Sequence, residues 1–179
     1  MSDVFAVPAD VARVTHEHLH AKGLEHAEGL VLWIGTFEPP TITRAVVPEQ
    51  DTSAGRFHVP LAARQELTRE LAGTGQVVVA QVHSHPDLAF HSSIDDAEAI
   101  PRRVGAYSLV VPDFGTRGHL LDGAALFQVD SGGRWVPAPA ATFDLPQTFE
   151  PAAPVTAATR RSLWRRLTDT LKSFGRSRI

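Results

Sequence analysis

The chain has 179 residues, 43% of them hydrophobic, and no cysteine. That length supports one domain with its own core, and the missing cysteine excludes disulfides, a thiol nucleophile and thiolate metal sites, so a bound metal must be held by His, Asp or Glu. The net charge of −3 is uneven: seven Lys or Arg and one acid follow from Val155 onward, leaving ten basic and nineteen acidic residues in the body, a balance that argues against a nucleic-acid binder.

In chain order, Met1-Ser2-Asp3-Val4 has neither the basic segment nor the apolar run of a secretion signal, and no stretch is long enough to cross a bilayer. A cytoplasmic protein is therefore expected. Residues 8–22 read as a helix with Val7, Val11, Val14 and His18 on one stripe and Gly23 as its stop. Residues 29–37 and 41–47 read as strands joined by Glu38-Pro39-Pro40, and 61–71 as a helix ending before Gly73. Residues 77–83 form a β-branched run that predicts a buried strand. Ser93 predicts the N-cap of a short helix through Ile100, with Asp95, Asp96 and Glu98 in its first turns. Residues 106–111 and 124–129 read as further strands. Interspersed strands and helices predict an α/β or mixed α+β fold, a central mixed sheet flanked by helices. Trp33 and Phe37 are expected in its core.

The domain is expected to span 1–136. Residues 137–159, rich in Ala, Pro and Thr, read as a semi-extended linker. Residues 160–179 carry a basic amphipathic helix, with Leu163, Trp164, Leu167, Leu171 and Phe174 on one stripe and Arg161, Arg165 and Lys172 opposite. Docking through the Trp164 stripe onto the body or a partner is favoured over an anionic membrane surface.

Two stretches carry zinc-like spacing. His16-Glu17-His18-Leu19-His20-Ala21-Lys22-Gly23-Leu24-Glu25-His26 matches the metzincin signature H-E-x-x-H-x-x-G-x-x-H. Only fifteen residues precede it, the sole methionine is Met1, and His16 and His20 lie opposite the apolar stripe, so these are read as surface histidines. The second stretch is His83-Ser84-His85-Pro86, followed by Ser93 and Asp96. Residues i and i+2 of a strand share a face, so His83 and His85 would present paired imidazoles, with a carboxylate from the next helix as third ligand and the fourth position left for water. Pro86 is read as ending the strand, Asp95 as supporting the helix dipole, and His91 as a solvated loop residue.

His83-x-His85-Pro86, Ser93 and Asp96, with Glu28-Gly29-Leu30-Val31-Leu32-Trp33-Ile34-Gly35 upstream and Leu109-Val110-Val111-Pro112-Asp113-Phe114-Gly115 downstream, resemble the JAMM (MPN+ or JAB) zinc metalloproteases, bacterial deubiquitinase-like type. The resemblance covers residues 4–136 and implies a single JAB/MPN domain resembling the cytidine-deaminase-like fold. It implies one Zn²⁺ held by His83, His85 and Asp96, Glu28 as general base and Ser93 as oxyanion donor. Glu25 is the alternative base. The implied activity is hydrolysis after the C-terminal glycine of a ubiquitin-like protein, by deconjugation or precursor processing. A bacterial conjugation system with activating and conjugating enzymes as partners would be its setting. Trimming of a sulfur-carrier protein is the alternative activity, and a non-catalytic MPN scaffold the alternative class.

Overall fold

The computed structural model describes residues 4–146; the expected helix over 160–179 and the linker beyond 146 lie outside the described residues. In chain order the elements are β1 (Phe5–Ala6), α1 (Ala9–Leu24), β2 (Leu30–Phe37), β3 (Pro40–Val46), β4 (Asp51–Ser53), β5 (Arg56–His58), α2 (Leu61–Leu71), β6 (Val77–Ser84), α3 (Ser93–Glu98), β7 (Tyr107–Val111), β8 (Ala125–Val129), β9 (Trp135–Ala138) and β10 (Phe143–Asp144). Six strands form the central sheet in the order β3-β2-β6-β7-β8-β9. Within this sheet only β6 and β7 pair in parallel, and α3 lies in their crossover. The mixed α/β class with a central mixed sheet flanked by helices is as expected.

The strand β2 has no polar alternation because both of its faces are covered. Val31 and Trp33 face a core with Val11, Ala12 and Leu19 of α1. Leu30, Leu32 and Ile34 face a second core with Phe57, Val59 and Leu67 of the β4–β5 hairpin and α2. Fully burying one such Leu or Ile contributes about 2 kcal/mol. Trp33 Nε1 donates to Thr15 Oγ1 at 2.8 Å, and Thr15 donates in turn to Val11 O at 2.8 Å, so the one polar atom of the buried indole is satisfied.

Three expectations are corrected. The buried face of α1 is Val11, Ala12, Thr15, Leu19 and Gly23, not the Val7/Val11/Val14/His18 stripe. Gly23 does not stop the helix; it lies within it, because a Cβ there would stand 2.6 Å from Phe114 O. The folded body does not end at 136. β9 reaches Ala138, and β10 pairs with β1. The Pro/Ala-rich composition hides Phe143, whose ring packs against Phe5, Trp33 and Tyr107 at 5.6, 5.1 and 5.2 Å.

Candidate metal centre

Strand β6 carries the first two side chains. Leu30 of β2 pairs with His83, and cross-strand partners share a face, so His83 points into the α2 side, 5.2 Å from the Phe57 ring. His85 follows two residues on, and the two imidazoles are 5.1 Å apart. Beyond β6 the chain is pinned by backbone bonds: His85 N donates to Val111 O, Phe114 N to His85 O, and Asp113 N to Asp87 O. Asp113 and Phe114 adopt left-handed backbone, φ 52° and 54°, which costs a non-glycine residue on the order of 1 kcal/mol each. The return is a fixed exit from the strand at His85.

The third side chain comes from α3, and it is Asp95 rather than Asp96. Helix α3 is capped by Ser92. Ser92 Oγ accepts from Asp95 N at 3.2 Å, and Ser92 N donates to Asp95 Oδ2 at 2.6 Å, a complete capping box. This cap sets the helix one residue out of phase with the spacing in the sequence. Asp95 is buried, its Oδ1 lying 3.3 Å from His83 Nε2 and its Oδ2 3.3 Å from His85 Nε2. Asp96, 62% exposed, turns away to His91. Capping and facing the histidines are not exclusive: the Asp95 carboxylate does both. Ser93 is exposed in the first turn of α3, and Ser92 takes its expected place in the cavity.

His91 is also corrected. It is no solvated loop residue: its side chain is 5% exposed, with Nδ1 3.1 Å from Asp96 Oδ1. It stacks on Trp135 at 4.8 Å, meets Phe127 at 5.2 Å and comes within 6.3 Å of the His83 ring. Burial, with His83 nearby, lowers its pKa to about 4.

Glu28 lies just before β2, buried, its N–H donating to Ser53 O at 2.8 Å. The next residue couples directly to the histidine strand, since Gly29 N donates to Ser84 Oγ and Ser84 N to Gly29 O. Glu28, His85, Ser92 and Asp95 line one cavity of about 270 Å³. Its mouth is apolar: Leu88, Phe90 and Ile94 also line it, and they are 75%, 54% and 47% exposed. Burial, reinforced by the Asp95 charge and opposed by His85, raises the Glu28 carboxyl to about 7. Burial lowers His83. His85 is raised, because Asp95 and Glu28 outweigh its burial. Asp95 is buried too, yet the two imidazoles and the Ser92 N–H hold its carboxyl well below the usual range. Glu25, the alternative base, is exposed on Lys22 at 2.9 Å, away from this cavity.

The donor set fits a metal ion. His83 Nδ1 is buried without a hydrogen-bond partner, and Nε2 faces only the Asp95 carboxylate, an expensive state for polar atoms. One ligand atom from each of His83, His85 and Asp95 lies within 4.8 Å of the others, and this is the one such group among the described residues. Atoms bound about 2.0–2.1 Å from a tetrahedral ion stand roughly 3.3 Å apart; Asp95 Oδ1 lies 3.3 Å from His83 Nε2 and 3.5 Å from His85 Nε2. Two imidazoles and a carboxylate leave one tetrahedral position open, as a catalytic site requires. The metzincin pattern assembles nothing comparable. His16 Nε2 is bound to Arg117 O at 3.1 Å, its ring stacks on His20 at 5.8 Å, and His26 is exposed beyond the helix.

No family model matches the chain. A solution structure of a protein from Desulfitobacterium hafniense shares the fold, with a TM-score of 0.50 at 17% identity, covering 82% of this chain and 95% of that one. A protein of Sinorhizobium fredii named "Probable metalloprotease" is 34% identical over 142 residues, spanning 76% of this chain and 88% of its own length. At that identity and coverage the chain belongs to that metalloprotease family.

Proposed function

We propose that the chain is a JAMM-type zinc peptidase that cuts after the C-terminal glycine of a ubiquitin-like protein. The observation that carries this reading is the buried Glu28 carboxylate sharing one cavity with His85 and Asp95, two of the three clustered donors. A zinc ion in the triad would polarise the scissile carbonyl and make an attacking water acidic. Glu28 then acts as the base: its carboxylate takes the proton from the water and delivers it to the leaving amine. Ser92 Oγ already accepts from Asp95 N, so its own proton is free to be donated to the oxyanion. The apolar mouth of Leu88, Phe90 and Ile94 would hold the tail leading to the scissile bond. The only insertion between β3 and α2 is the short β4–β5 hairpin, which fits a compact enzyme of a bacterial conjugation system.

The test is incubation of the zinc-loaded protein with ubiquitin-like fusions carrying a reporter after the terminal glycine. Cleavage at the glycine, stopped by a chelator and by Glu28→Gln, is expected. Loaded protein that leaves such fusions intact while cutting unrelated peptides would retain the metallopeptidase and remove the substrate.

A further inference from the structure

Helix α3 has six residues, too short to be stable by itself, yet it must deliver Asp95 against the two histidines. The capping box ties Asp95 only to its neighbour Ser92. It says nothing about where the start of the helix sits relative to β6. At the far end Glu98 meets His58 and Arg64, and Ile100 N donates to Gln81 Oε1; at the start of the helix the contact that supplies placement is His91. Its ring is wedged against Phe127 of β8 and Trp135 of β9 and borders His83, while Nδ1 reaches Asp96. Nδ1 stands 3.1 Å from Asp96 Oδ1, and an imidazole N–H there would meet a carboxylate that can only accept. The His91–Asp96 contact therefore lies over the capping box from outside and ties the first turn of α3 to the sheet. Adjacent helical residues point about 100° apart. With Asp96 held on the His91 side, Asp95 is turned inward.

We propose that His91 and Asp96 form a latch that positions Asp95 for the metal, a role that rests on the metallopeptidase reading of the triad. The chain carries two serine–carboxylate pairs in tandem, Ser92 with Asp95 and Ser93 with Asp96, and either could cap the helix. The latch selects the first. His91 and Asp96 are positioning residues; neither touches the metal or the substrate.

The experiment is a zinc competition titration against a chromogenic chelator, on the full chain. Removing a group that orients a metal ligand weakens binding 10- to 100-fold, and the exposure of Asp96 places this pair at the low end. Asp96→Ala should bind zinc about tenfold more weakly than the parent. His91→Asn keeps a donor near the Nδ1 position but loses the ring, so it should fall between the parent and Asp96→Ala, whereas His91→Gln keeps neither and should match Asp96→Ala. The double variant, His91→Gln with Asp96→Ala, should be no weaker than either single one. The visible spectrum of the cobalt-loaded Asp96→Ala protein should keep the parent's band positions, because the ligand set is unchanged. Affinity within twofold of the parent in Asp96→Ala, additive losses, or a changed cobalt spectrum would each overturn the latch. A parent protein that takes up neither zinc nor cobalt would instead overturn the metallopeptidase reading beneath it.

Discussion

His16, His20 and His26 come from one helix and the turn after it, whereas His83, His85 and Asp95 come from the end of a strand and from a separate helix. The first set follows a known zinc signature residue for residue. The second departs by one residue from the spacing it resembles. Only the second gathers buried ligand atoms at a common point. A helix spaces its side chains regularly along one surface, but ligation also needs that surface to be buried against further donors. On α1 the buried face is given to Val11, Leu19 and the Phe114 turn, and the histidines lie beside it. At β6 the sheet buries His83 completely, and the crossover to β7 brings α3 over it.

The sharpest way to break this contrast is to remove candidate donors from each region in turn. Asp95→Asn should abolish stoichiometric zinc binding and all peptidase activity, while His16→Ala with His20→Ala leaves zinc affinity unchanged; metal analysis after dialysis decides between them. Next in size, Glu28→Gln should retain zinc and lose about 10³-fold in kcat, within the range of a lost acid–base group. An active Glu28→Gln protein would move the base elsewhere. The serine pair gives a smaller, graded effect. Ser92→Ala should lower kcat about 10²-fold by removing the oxyanion donor and cost about 1 kcal/mol of stability through the lost cap. Ser93→Ala should do neither, and steady-state kinetics on both variants would show a reversed order if the helix were phased as the sequence spacing suggests.

Glu28 also predicts a pH signature in the metal-free protein. Its carboxyl rises from 4.5 to about 7 on folding, so between those values the folded state holds a proton that the unfolded chain has released. Stability contributed at this site falls as pH rises through that window, and the loss is complete above 7. It amounts to at most about 3 kcal/mol. Denaturant midpoints of the parent and of Glu28→Gln should diverge from pH 4.5 to 8 in favour of the variant; parallel curves would mean the carboxyl is not desolvated. The smallest effect is at the apolar mouth. Leu88→Glu should raise KM severalfold with kcat nearly unchanged, because that side chain meets substrate and not the reacting atoms.

Much of this molecule was legible in its residues. The helix over 61–71 and the strands near 29–37 and 77–83 follow from the period and β-branching of their runs, and Glu28 could be assigned because it abuts such a run and stands where the resemblance implies a glutamate. The short pieces were not legible. The β4–β5 hairpin and β10 are two or three residues each, stable only through contacts with distant partners. His91 was misplaced for the same kind of reason. It lies in a loop with no periodic pattern, and its burial is created by Phe127 and Trp135, more than thirty residues downstream.

The sequence by itself determined the donor chemistry: without cysteine, a strand-end His pair followed by a carboxylate-rich helix start can hold a metal only through nitrogen and oxygen. It could not determine which carboxylate. Ser92-Ser93 and Asp95-Asp96 satisfy the same capping pattern one residue apart, and a local pattern has no means of choosing between them. The tertiary structure decided, because a one-residue shift rotates a helix by about 100°, and only one of the two phases lets Asp95 face the histidines while Asp96 meets the buried His91.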